Sequence, residues 1–494
     1  MRHSAGNRRV SVHTALLQWP RHADDALPLA LWDSATLADV TGGSASAAFQ
    51  CSGVEIDSRD VMEGDLFVAL EGETTDGHRF LEKAFANGAA AALVDRPVDF
   101  PHILVDDTFA ALQALGAAAR ARGSIKAVGV TGSVGKTGVK EALFAALDRS
   151  SRGRAHRSVK SYNNHVGVPL SLARTPARAR YGVYEMGMNH AGEIDALTRQ
   201  VRPHVAIVTT IAPAHIENLG SEEAIADAKA EIFAGLEPGG IAILPADNVH
   251  FARLRAHAEA AGARVCGFGH SDAAQARLLD AIPLDHGGAL VTALLGETRI
   301  CYTVAEPGDH WIGNSLAVMA AVQALVGDLG AAGLALAEMG GLAGRGARHR
   351  IPVPGGSALV IDESYNANPA SMRATIAQLG NTPATRRVAV LGAMKELGDF
   401  GPDFHRQLAG PLFDADIDHA ILVGDEMRTL FADLGKRPEL ALGKPLTFAH
   451  CDDPDTAIAA LEDYGLVGGD AVLVKGSNSV GLARLVGHLT KRDG

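Results

Sequence analysis

The stretch whose residue types most clearly suggest chemistry is a glycine-rich loop, TGSVGKT, which ends at Thr137. In the common phosphate loop, G-x-x-x-x-G-K-[ST], a glycine would stand two residues before Gly132, where this chain has valine. The backbone N–H groups of Gly132, Ser133 and Gly135 could surround an anion at a helix N-terminus. Lys136 would add a cation, and Thr137 a hydroxyl suited to Mg2+. The loop predicts a phosphate site of an uncommon type, with an ordinary tight turn as the alternative.

Three more polar side chains follow apolar segments closely. Glu185 comes after YGVY, and His215 lies just beyond HVAIVTT. Because carboxyl ends of parallel strands meet at one edge of a sheet, both side chains could reach the edge that carries Thr137. A carboxylate and a neutral imidazole there could ligate Mg2+ or its waters, although a lone histidine among 20 is more often structural. Lys229, in DAKAEIF, would by itself be interpreted as a solvated helix residue.

The elements that must position these side chains form three blocks of alternating strands and helices. Short strands such as GDLFVAL alternate with alanine-rich helical stretches in the first block. In the second, IKAVGVT, YGVYEMG, HVAIVTT and GGIAILPAD have the continuous apolar character of strands in a parallel sheet. After GLAGRGARHR, the third contains SALVIDES, RRVAVLG, HAILVGD and DAVLVKGS. We predict an α/β protein with domains at 31–124, 125–345 and 346–494, preceded by a flexible extension at 1–30.

Composition restricts the class of protein. The formal net charge of -12 over 494 residues disfavours nonspecific binding to nucleic acid, which depends on clustered cations. No apolar run approaches the roughly 20 residues that span a bilayer, so no transmembrane segment is expected. The four cysteines are far apart and contain no C-x-x-C pair, which is typical of reduced cytosolic thiols. We expect a soluble, cytoplasmic monomer.

Nine segments of the chain resemble the Mur ligase family in content and in order, over nearly all of the chain after Leu31. They are TGSVGKT, SYNNHVGVPLSL, EMGMNHAGEI, AHIENLGS, AKAEIF, HWIGNSLA, DESYNANPASM, LGAMKELG and VLVKGS. The family's loop is T-G-[ST]-x-G-K-T, which accounts for the displaced glycine. YNANP and LGAMKELG favour the branch that adds D-alanyl-D-alanine to UDP-N-acetylmuramoyl-tripeptide. Two departures are Ala393, where an acidic residue is common, and Trp311, where asparagine is common.

The resemblance implies an ATP-dependent carbon–nitrogen ligase of peptidoglycan precursor synthesis. Its three domains would be a small α/β domain for the UDP-substrate, a central P-loop domain with a parallel sheet, and a C-terminal Rossmann-like domain. The last would close over ATP and bind the incoming dipeptide. Phosphorylating a carboxylate gives an acyl phosphate with a stable leaving group, and an amine then displaces phosphate. The alternatives are a sister ligase that adds one amino acid, a folylpolyglutamate-type ligase, and a switch protein that hydrolyses ATP without ligation.

Catalytic roles follow from the same resemblance, residue by residue. Lys136 would contact the β- and γ-phosphates, and Thr137 and Glu185 would hold Mg2+. His215 would belong to the surroundings of a second metal ion. Lys229 matches the lysine that the family carbamylates with CO2, which turns a cation into an anion able to organise magnesium.

Nucleotide contacts are implied for the junction of the second and third blocks. Asn314 and His310 match the adenine-contacting stretch, and Arg348 matches a basic residue that meets phosphate as the third domain closes. Asp362 would also contact ATP. The neighbouring residues assigned to substrate are Tyr365, Asn366 and Asn368. From spacing alone, a turn-stabilising role for YNANP is equally supported.

Substrate contacts are implied for the first block and for the SYNNHVGVP segment. Ser58 and Arg59 could meet a diphosphate, for which the forked donors of arginine are suited. His78 could contact the nucleotide sugar. Asn163 and Asn164 would orient the activated carboxylate or the metal.

Overall fold

The computed structural model of the chain describes residues 30–72, 75–214, 216–284, 287–436 and 446–491. The described residues fall into two compact units. One comprises those up to 39 together with 43–106, and the other comprises 40–42 and those from 107 onward. Among the helices of the described ranges, none combines the length and the apolar character that a membrane-spanning segment needs.

The first unit is a small α/β fold with a five-stranded sheet. Its elements are β1 (Trp32–Asp33), α1 (Ser34–Thr41), β2 (Ser44–Ala45), β3 (Gln50–Cys51), β4 (Gly53–Glu55), β5 (Asp65–Val68), α2 (Leu81–Ala86), β6 (Ala91–Val94) and β7 (His102–Leu104). In the order β2-β7-β6-β5-β4, strands β4 to β7 are parallel and β2 is antiparallel, while β1 and β3 form a separate pair. Every residue of β5 and β6 is buried, as expected for inner strands of a parallel sheet.

In the second unit, nine strands form one sheet around the phosphate loop. They are β8 (Lys126–Thr131), β9 (Ala155–Arg157), β10 (Tyr181–Glu185), β11 (Val205–Val208), β12 (Ile241–Pro245), β13 (Arg264–Gly269), β14 (Ala276–Pro283), β15 (Ala289–Leu295) and β16 (Thr298–Val304). The order is β16-β15-β14-β13-β12-β11-β8-β10-β9, parallel from β9 to β14 and antiparallel from β14 to β16. Since β8 lies between β11 and β10, their carboxyl ends meet at one edge.

Helices cover both faces of this sheet. They are α3 (Thr108–Ala121), α4 (Lys136–Ser151), α5 (Gly167–Ala173), α6 (Glu193–Val201), α7 (Ile216–Leu219), α8 (Glu222–Ala230), α9 (Phe251–Ala260), α10 (Asp309–Ala324) and α11 (Leu329–Glu338). Alternate residues of β8 enter different cores: Val128 and Val130 join a cluster that includes residues of α4 and α10, and Ala127 joins another that includes residues of α5 and α6. Burial on both faces holds the end of β8, and with it the phosphate loop, in place.

A six-stranded sheet follows in the same unit. Its strands are β17 (Ala347–Val353), β18 (Gly356–Glu363), β19 (Arg387–Gly392), β20 (His419–Val423), β21 (Thr447–Cys451) and β22 (Ala471–Lys475). The order is β17-β18-β22-β19-β20-β21, parallel except for the β17–β18 pair. Its helices are α12 (Pro369–Gly380), α13 (Gly401–Arg406), α14 (Ala409–Asp414), α15 (Arg428–Leu434), α16 (Pro454–Tyr464) and α17 (Ala483–Thr490).

The predicted α/β class and parallel strands are confirmed, and each apolar run that was predicted as a strand in the second and third blocks forms one. The antiparallel strands β15 to β17 were not predicted. The sequence of β15, ALVTALL, is apolar except for Thr292, so a strand signal was present and was missed; in the sheet its residues alternate between buried and partly exposed. The predicted domain boundaries stay a prediction; in the structure, α3 packs against α5 and belongs to the second unit.

Candidate active site

The phosphate loop joins the end of β8 to the start of α4. Gly132 has φ +143° and Gly135 has φ +88°, which are conformations that favour glycine. A Cβ atom at Gly132 would lie only 1.9 Å from the Thr209 Oγ1, so no larger residue fits there. Lys136 Nζ donates to the Gly132 carbonyl at 2.7 Å, which folds the ammonium back over the loop. The loop therefore presents backbone N–H groups, a helix N-terminus and a cation in one place.

Ser133 ties the phosphate loop to the segment that follows β11. Its Oγ donates to the Ala212 carbonyl at 2.8 Å and accepts from the Ala212 N–H at 3.0 Å. Its own N–H donates to the Thr210 carbonyl at 2.9 Å. The Ser133 hydroxyl thus stabilises the shape of the loop, and its predicted contact with ATP stays a prediction.

Glu185, at the end of β10, is the carboxylate nearest to the loop's hydroxyl. The residue is 1% exposed. Its Oε2 accepts from Thr137 Oγ1 at 2.9 Å, and its Oε1 accepts from Asn163 Nδ2 at 2.8 Å. Parallel pairing of β10 with β8 places Glu185 opposite Val130, just before the loop begins. The structure thus brings together Thr137 and Glu185, as the sequence predicted.

The oxygen atoms of this cluster suit magnesium. Mg2+ prefers oxygen ligands and is usually held by one or two carboxylates together with substrate phosphates and waters. Among the residues that the structure describes, no group of three or more His, Cys, Asp or Glu side chains could hold a metal ion. A site with one carboxylate, Glu185, and the Thr137 hydroxyl agrees with that mode of binding. Of the two further predicted contributors, Lys229 as a carbamate and His215, the latter lies outside the described residues.

The two predicted asparagines have different partners. The Asn163 carbonyl accepts from the Gly187 N–H at 2.8 Å, and a Cβ at Gly187 would lie 2.7 Å from Asn163 Oδ1. Asn163 is therefore held between Gly187 and the Glu185 carboxylate. Asn164 Oδ1 accepts from the Gly167 N–H at 2.9 Å, at the start of α5. Asn164 stabilises a helix start, and a contact of either residue with substrate stays a prediction.

Basic side chains are concentrated around the Glu185 carboxylate. Burial lowers the pKa of Lys229 well below its ordinary range, and the charge of Lys136 adds to the effect. Burial also lowers the pKa of Lys136, opposed by Glu185 and reinforced by Arg345. Lys140 Nζ lies 3.9 Å from Glu185 Oε2. Burial favours the neutral form of Lys229, so the positive charge near Glu185 comes from Lys136, Lys140 and Arg345. In a chain of net charge -12, these local cations favour a polyanionic ligand.

Arg345 is a candidate that sequence reasoning missed. Its Nη2 donates to Ser161 Oγ at 3.2 Å, and its guanidinium lies 4.3 Å from the centroid of the Tyr365 ring. It stands in G-R-G, and both flanking glycines have positive φ, a local signal of a special backbone position. The predicted Arg348 is on β17 instead, where its charge acts on the buried Glu306. Its contact with phosphate stays a prediction, whereas Arg345 acts electrostatically on Lys136.

Helix α10 brings its predicted residues to the phosphate loop. A Cβ atom at Gly135 would lie 3.1 Å from Asn314 Oδ1, so this amide is beside the loop. Trp311 stands where the family commonly has asparagine, and a Cβ at Gly138 would lie 2.9 Å from its indole ring. Trp311 thus packs over the first turn of α4. Burial lowers the pKa of His310, which directly precedes Trp311 and lies one turn before Asn314. Nucleotide contacts of Asn314 and His310 stay predictions.

Residues of the DESYNAN segment stabilise turns. Asp362 Oδ2 accepts from the Gly344 N–H at 2.8 Å, and its Oδ1 accepts from the Ser364 hydroxyl at 2.6 Å. Asn368 is the N-cap of α12, with Oδ1 accepting from the Ser371 N–H at 2.9 Å. The remaining two residues of this group are Tyr365, which is 39% exposed, and Asn366, whose Oδ1 accepts from the Ala367 N–H at 2.9 Å. The structural alternative for YNANP is therefore supported at Asn368; Asp362, which precedes that motif, also stabilises a turn, and contacts with ligands stay predictions.

In the first unit, the predicted residues follow the carboxyl ends of β4 and β5. The Arg59 side chain is 75% exposed and its Nε donates to Asp57 Oδ1 at 2.9 Å. The His78 side chain is 5% exposed, with Nδ1 at 2.7 Å from Asp76 Oδ1 and Nε2 at 3.2 Å from Asp95 Oδ1. Ser58 is buried, and its carbonyl accepts from Asn87 Nδ2 at 2.7 Å. Contacts with a nucleotide stay predictions for all three.

Three family models match consecutive parts of the chain. The model "Mur ligase family, catalytic domain" matches residues 50–128. The Mur ligase middle domain matches residues 130–322, and the Mur ligase, glutamate ligase domain, matches residues 349–478. The three-domain order predicted from sequence is the order of these matches.

Relatives of known function extend the match along the chain. The UDP-N-acetylmuramoyl-tripeptide–D-alanyl-D-alanine ligase of Synechocystis sp. is 36% identical over 448 residues, which cover 88% of this chain and 90% of that protein. The ligase of the same name from Escherichia coli is 35% identical over 398 residues, covering 80% of this chain and 86% of that protein.

Solved structures agree with the sequence matches. MurF from Acinetobacter baumannii superposes with a TM-score of 0.79 and 29% identity, covering 94% of this chain and 100% of that one. MurF ligase from Thermotoga maritima in complex with ADP superposes with a TM-score of 0.70 and 25% identity, covering 89% of this chain and 97% of that one. Since the family models, the relatives and the fold agree over most of its length, this chain belongs to the Mur ligase family.

Proposed function

We propose that this chain is the ATP-dependent ligase that joins D-alanyl-D-alanine to UDP-N-acetylmuramoyl-tripeptide in peptidoglycan precursor synthesis. The observation that carries the proposal is the 36% identity to a ligase of that activity over 88% of the chain. The site described above supports it, because a phosphate loop, a hydroxyl–carboxylate pair and several cations lie together. Those are the parts that transfer of a γ-phosphoryl group to a carboxylate needs.

The reaction requires two displacements. The tripeptide carboxylate attacks the γ-phosphorus of ATP, ADP leaves, and an acyl phosphate forms. The dipeptide amine then attacks the acyl carbon, loses a proton and displaces phosphate to leave an amide. Lys136, whose ammonium contacts the Gly132 carbonyl of the loop, would contact the β- and γ-phosphates, and Arg345 would add positive charge on the side of Ser161. Bound Mg2+ would neutralise phosphate charge, and Thr137 and Glu185 are the side chains suited to hold it.

Lys229 is the proposed site of a carbamate. Carbamylation needs the neutral amine, because only a free lone pair attacks CO2. Lys229 is 1% exposed, and burial favours its neutral form. The product would be an anion beside Lys136, the neighbouring cation that acts on Lys229. The residues present therefore fit this modification.

Substrate roles are proposed for the outer parts of the chain. The first unit would bind the UDP moiety through the turns after β4 and β5, and the six-stranded sheet would present the dipeptide. We propose that the protein acts as a monomer. A UDP-linked precursor is water-soluble, which agrees with a cytoplasmic site of action.

The test is phosphate release from ATP with Mg2+ and UDP-N-acetylmuramoyl-tripeptide, measured with and without D-alanyl-D-alanine. We expect release that depends on the dipeptide, and a nucleotide product heavier by the dipeptide less water in mass spectrometry. Release that ignores the dipeptide but needs a single amino acid would identify a sister ligase. Release without any amine would overturn ligation altogether.

A further inference from the structure

Lys140 takes no part in the function proposed above, yet its side chain is fully buried one helical turn after Thr137. Its Nζ donates to the Lys160 carbonyl at 2.5 Å. The same atom lies 3.0 Å from Glu141 Oε1 and 3.9 Å from Glu185 Oε2. The ammonium therefore donates a hydrogen bond to the Lys160 carbonyl and forms an ion pair with Glu141, while the Glu185 carboxylate lies beyond hydrogen-bond distance.

The Lys160 carbonyl belongs to a segment that we call the asparagine loop, residues 158–164. Both ends of the loop are tied to the end of β10. At one end, Ser158 donates its N–H to the Val183 carbonyl at 2.9 Å, and Ser158 Oγ accepts from the Glu185 N–H at 3.2 Å. At the other end, Asn163 contacts the Glu185 carboxylate and the Gly187 N–H at 2.8 Å each.

The middle of the asparagine loop makes a turn that backbone preferences oppose. Lys160 has φ +52°, an unfavourable conformation for a residue with a Cβ atom. Such a conformation persists where surrounding contacts determine it. Lys140 supplies one such contact from within the protein, because its ammonium holds the carbonyl of the strained residue.

Burial of the Lys140 ammonium fixes which groups it contacts. A buried ammonium is costly unless it is paired and hydrogen-bonded, so its position is set by its partners. An ion pair with Glu141 alone would satisfy the charge without involving the site. The donation to the Lys160 carbonyl is what connects Lys140 to the loop that carries Asn163.

We propose that Lys140 is a positioning residue, whose ammonium holds the asparagine loop so that Asn163 and the Glu185 carboxylate keep a fixed geometry beside Thr137. The effect on reaction rate rests on the ligase function proposed above, whereas the effect on the loop does not. Lys140 is expected to influence kcat rather than the binding of the UDP moiety, which is assigned to the first unit.

The test is the Lys140→Met variant, which keeps the length of the side chain and removes its charge and donors. Hydrogen–deuterium exchange of the nucleotide-free protein should be at least about ten-fold faster in residues 158–164 and unchanged in α4 and β8. Activity should show a kcat about 10- to 100-fold lower, with KM for the UDP-substrate within about twofold. The Mg2+ concentration for half-maximal rate should rise. Lys126→Met is the matched control, because Lys126 is exposed at the opposite end of β8.

Wild-type exchange in residues 158–164 of a folded Lys140→Met protein would overturn the proposal and leave Lys140 as a core ion pair. If that variant does not fold, Lys140→Arg keeps the charge but replaces the ammonium with a planar group of different reach. Faster exchange of the loop is again expected, and wild-type exchange with wild-type kcat would overturn the proposal. If the wild-type protein itself lacks dipeptide ligation, the proposed function fails, and the exchange data still decide the role of Lys140.

Discussion

The central site and the candidate site of the first unit contain similar kinds of residue but use them differently. In the central site, Glu185 accepts from two side chains of separate elements, Thr137 on α4 and Asn163 in the asparagine loop. In the first unit, His78 contacts two carboxylates of its own unit, and Arg59 contacts the carboxylate two residues before it. The central groups converge on one place, whereas the others satisfy each other locally.

The difference shows how much information about a functional site a sequence motif contains. The phosphate loop is recognised from backbone requirements, because glycines at Gly132 and Gly135 are needed for positive φ wherever such a loop is built. A serine–arginine pair or a single histidine has no comparable requirement and occurs in many local turns. Five predictions, from the largest expected effect to the smallest, test this contrast.

The largest effect is expected at the phosphate loop. Lys136→Met should lower kcat/KM for the ligation about 10²- to 10³-fold, because it removes a preorganised positive charge from the phosphates. Steady-state phosphate release measures the change. As a control, Lys126→Met changes an exposed residue and should keep kcat/KM within about twofold of wild type. Full activity in Lys136→Met would contradict the contrast between the central site and the candidate site of the first unit.

Glu306 is a buried carboxyl that belongs to neither of these two sites and tests burial directly. Burial raises its pKa to about 7, with Arg348 opposing and Glu363 reinforcing the shift. Since the folded value exceeds the ordinary 4.5, the stability from this group is full below about pH 4.5 and is lost as pH rises to 7. The free energy of unfolding of Glu306→Gln should therefore equal that of wild type at pH 4.5 and exceed it by about 3 kcal/mol above pH 7. Denaturant unfolding across this range measures the difference, and parallel curves would contradict it.

Lys229→Ala should lower the ligation rate about 100-fold, because the proposed carbamate would be lost. Short carboxylic acids should partly restore the rate, while chloride at equal ionic strength should not. A carbamate resonance in 13C NMR of wild-type protein under 13CO2, absent from the variant, is the readout that does not depend on activity. A variant with full activity and no added acid would rule out the modification.

Arg345→Ala and Arg348→Ala compare the arginine found in the structure with the one predicted from sequence. We expect about a 10- to 30-fold loss of kcat for Arg345→Ala, since charge-assisted contacts with phosphate are strong. Arg348→Ala should cost less than about threefold, because its charge acts on Glu306 instead. A larger loss of kcat for Arg348→Ala than for Arg345→Ala would instead support the sequence prediction that Arg348 meets phosphate.

The smallest effects on activity are expected in the first unit. His78→Ala should lower the stability of that unit by about 1–3 kcal/mol, because two carboxylates lose their shared partner. Arg59→Ala should change stability by less than about 0.5 kcal/mol, since the pair is exposed, and raise KM for the UDP-substrate a few-fold. Hydrogen exchange of β5 and β6 and substrate titrations separate the two effects. An unchanged KM in Arg59→Ala would contradict a role of this residue in binding the UDP-substrate.

Much of the fold could be predicted because inner parallel strands are apolar on both faces. β8, β10, β11 and β12 follow that pattern, and each was identified. β15, ALVTALL, is apolar enough to have been recognised and was missed. β17, ARHRIPV, contains three basic residues and a proline and follows a glycine-rich stretch, so it does not resemble an inner strand. The parallel sheet also made the meeting of Thr137 and Glu185 predictable, because both follow neighbouring strands at the same edge.

The sequence by itself determined the phosphate loop, the inner strands and the family, because each depends on local backbone geometry, continuous burial or an ordered set of motifs. Only the tertiary structure decided which side chains meet across elements. It placed Arg345 rather than Arg348 near Lys136, and it buried Lys140 against a carbonyl 20 residues away. Burial also gave Lys229 its lowered pKa, although a helical lysine looks solvated in sequence. Contacts and desolvation arise from packing between distant segments, and no local pattern encodes them.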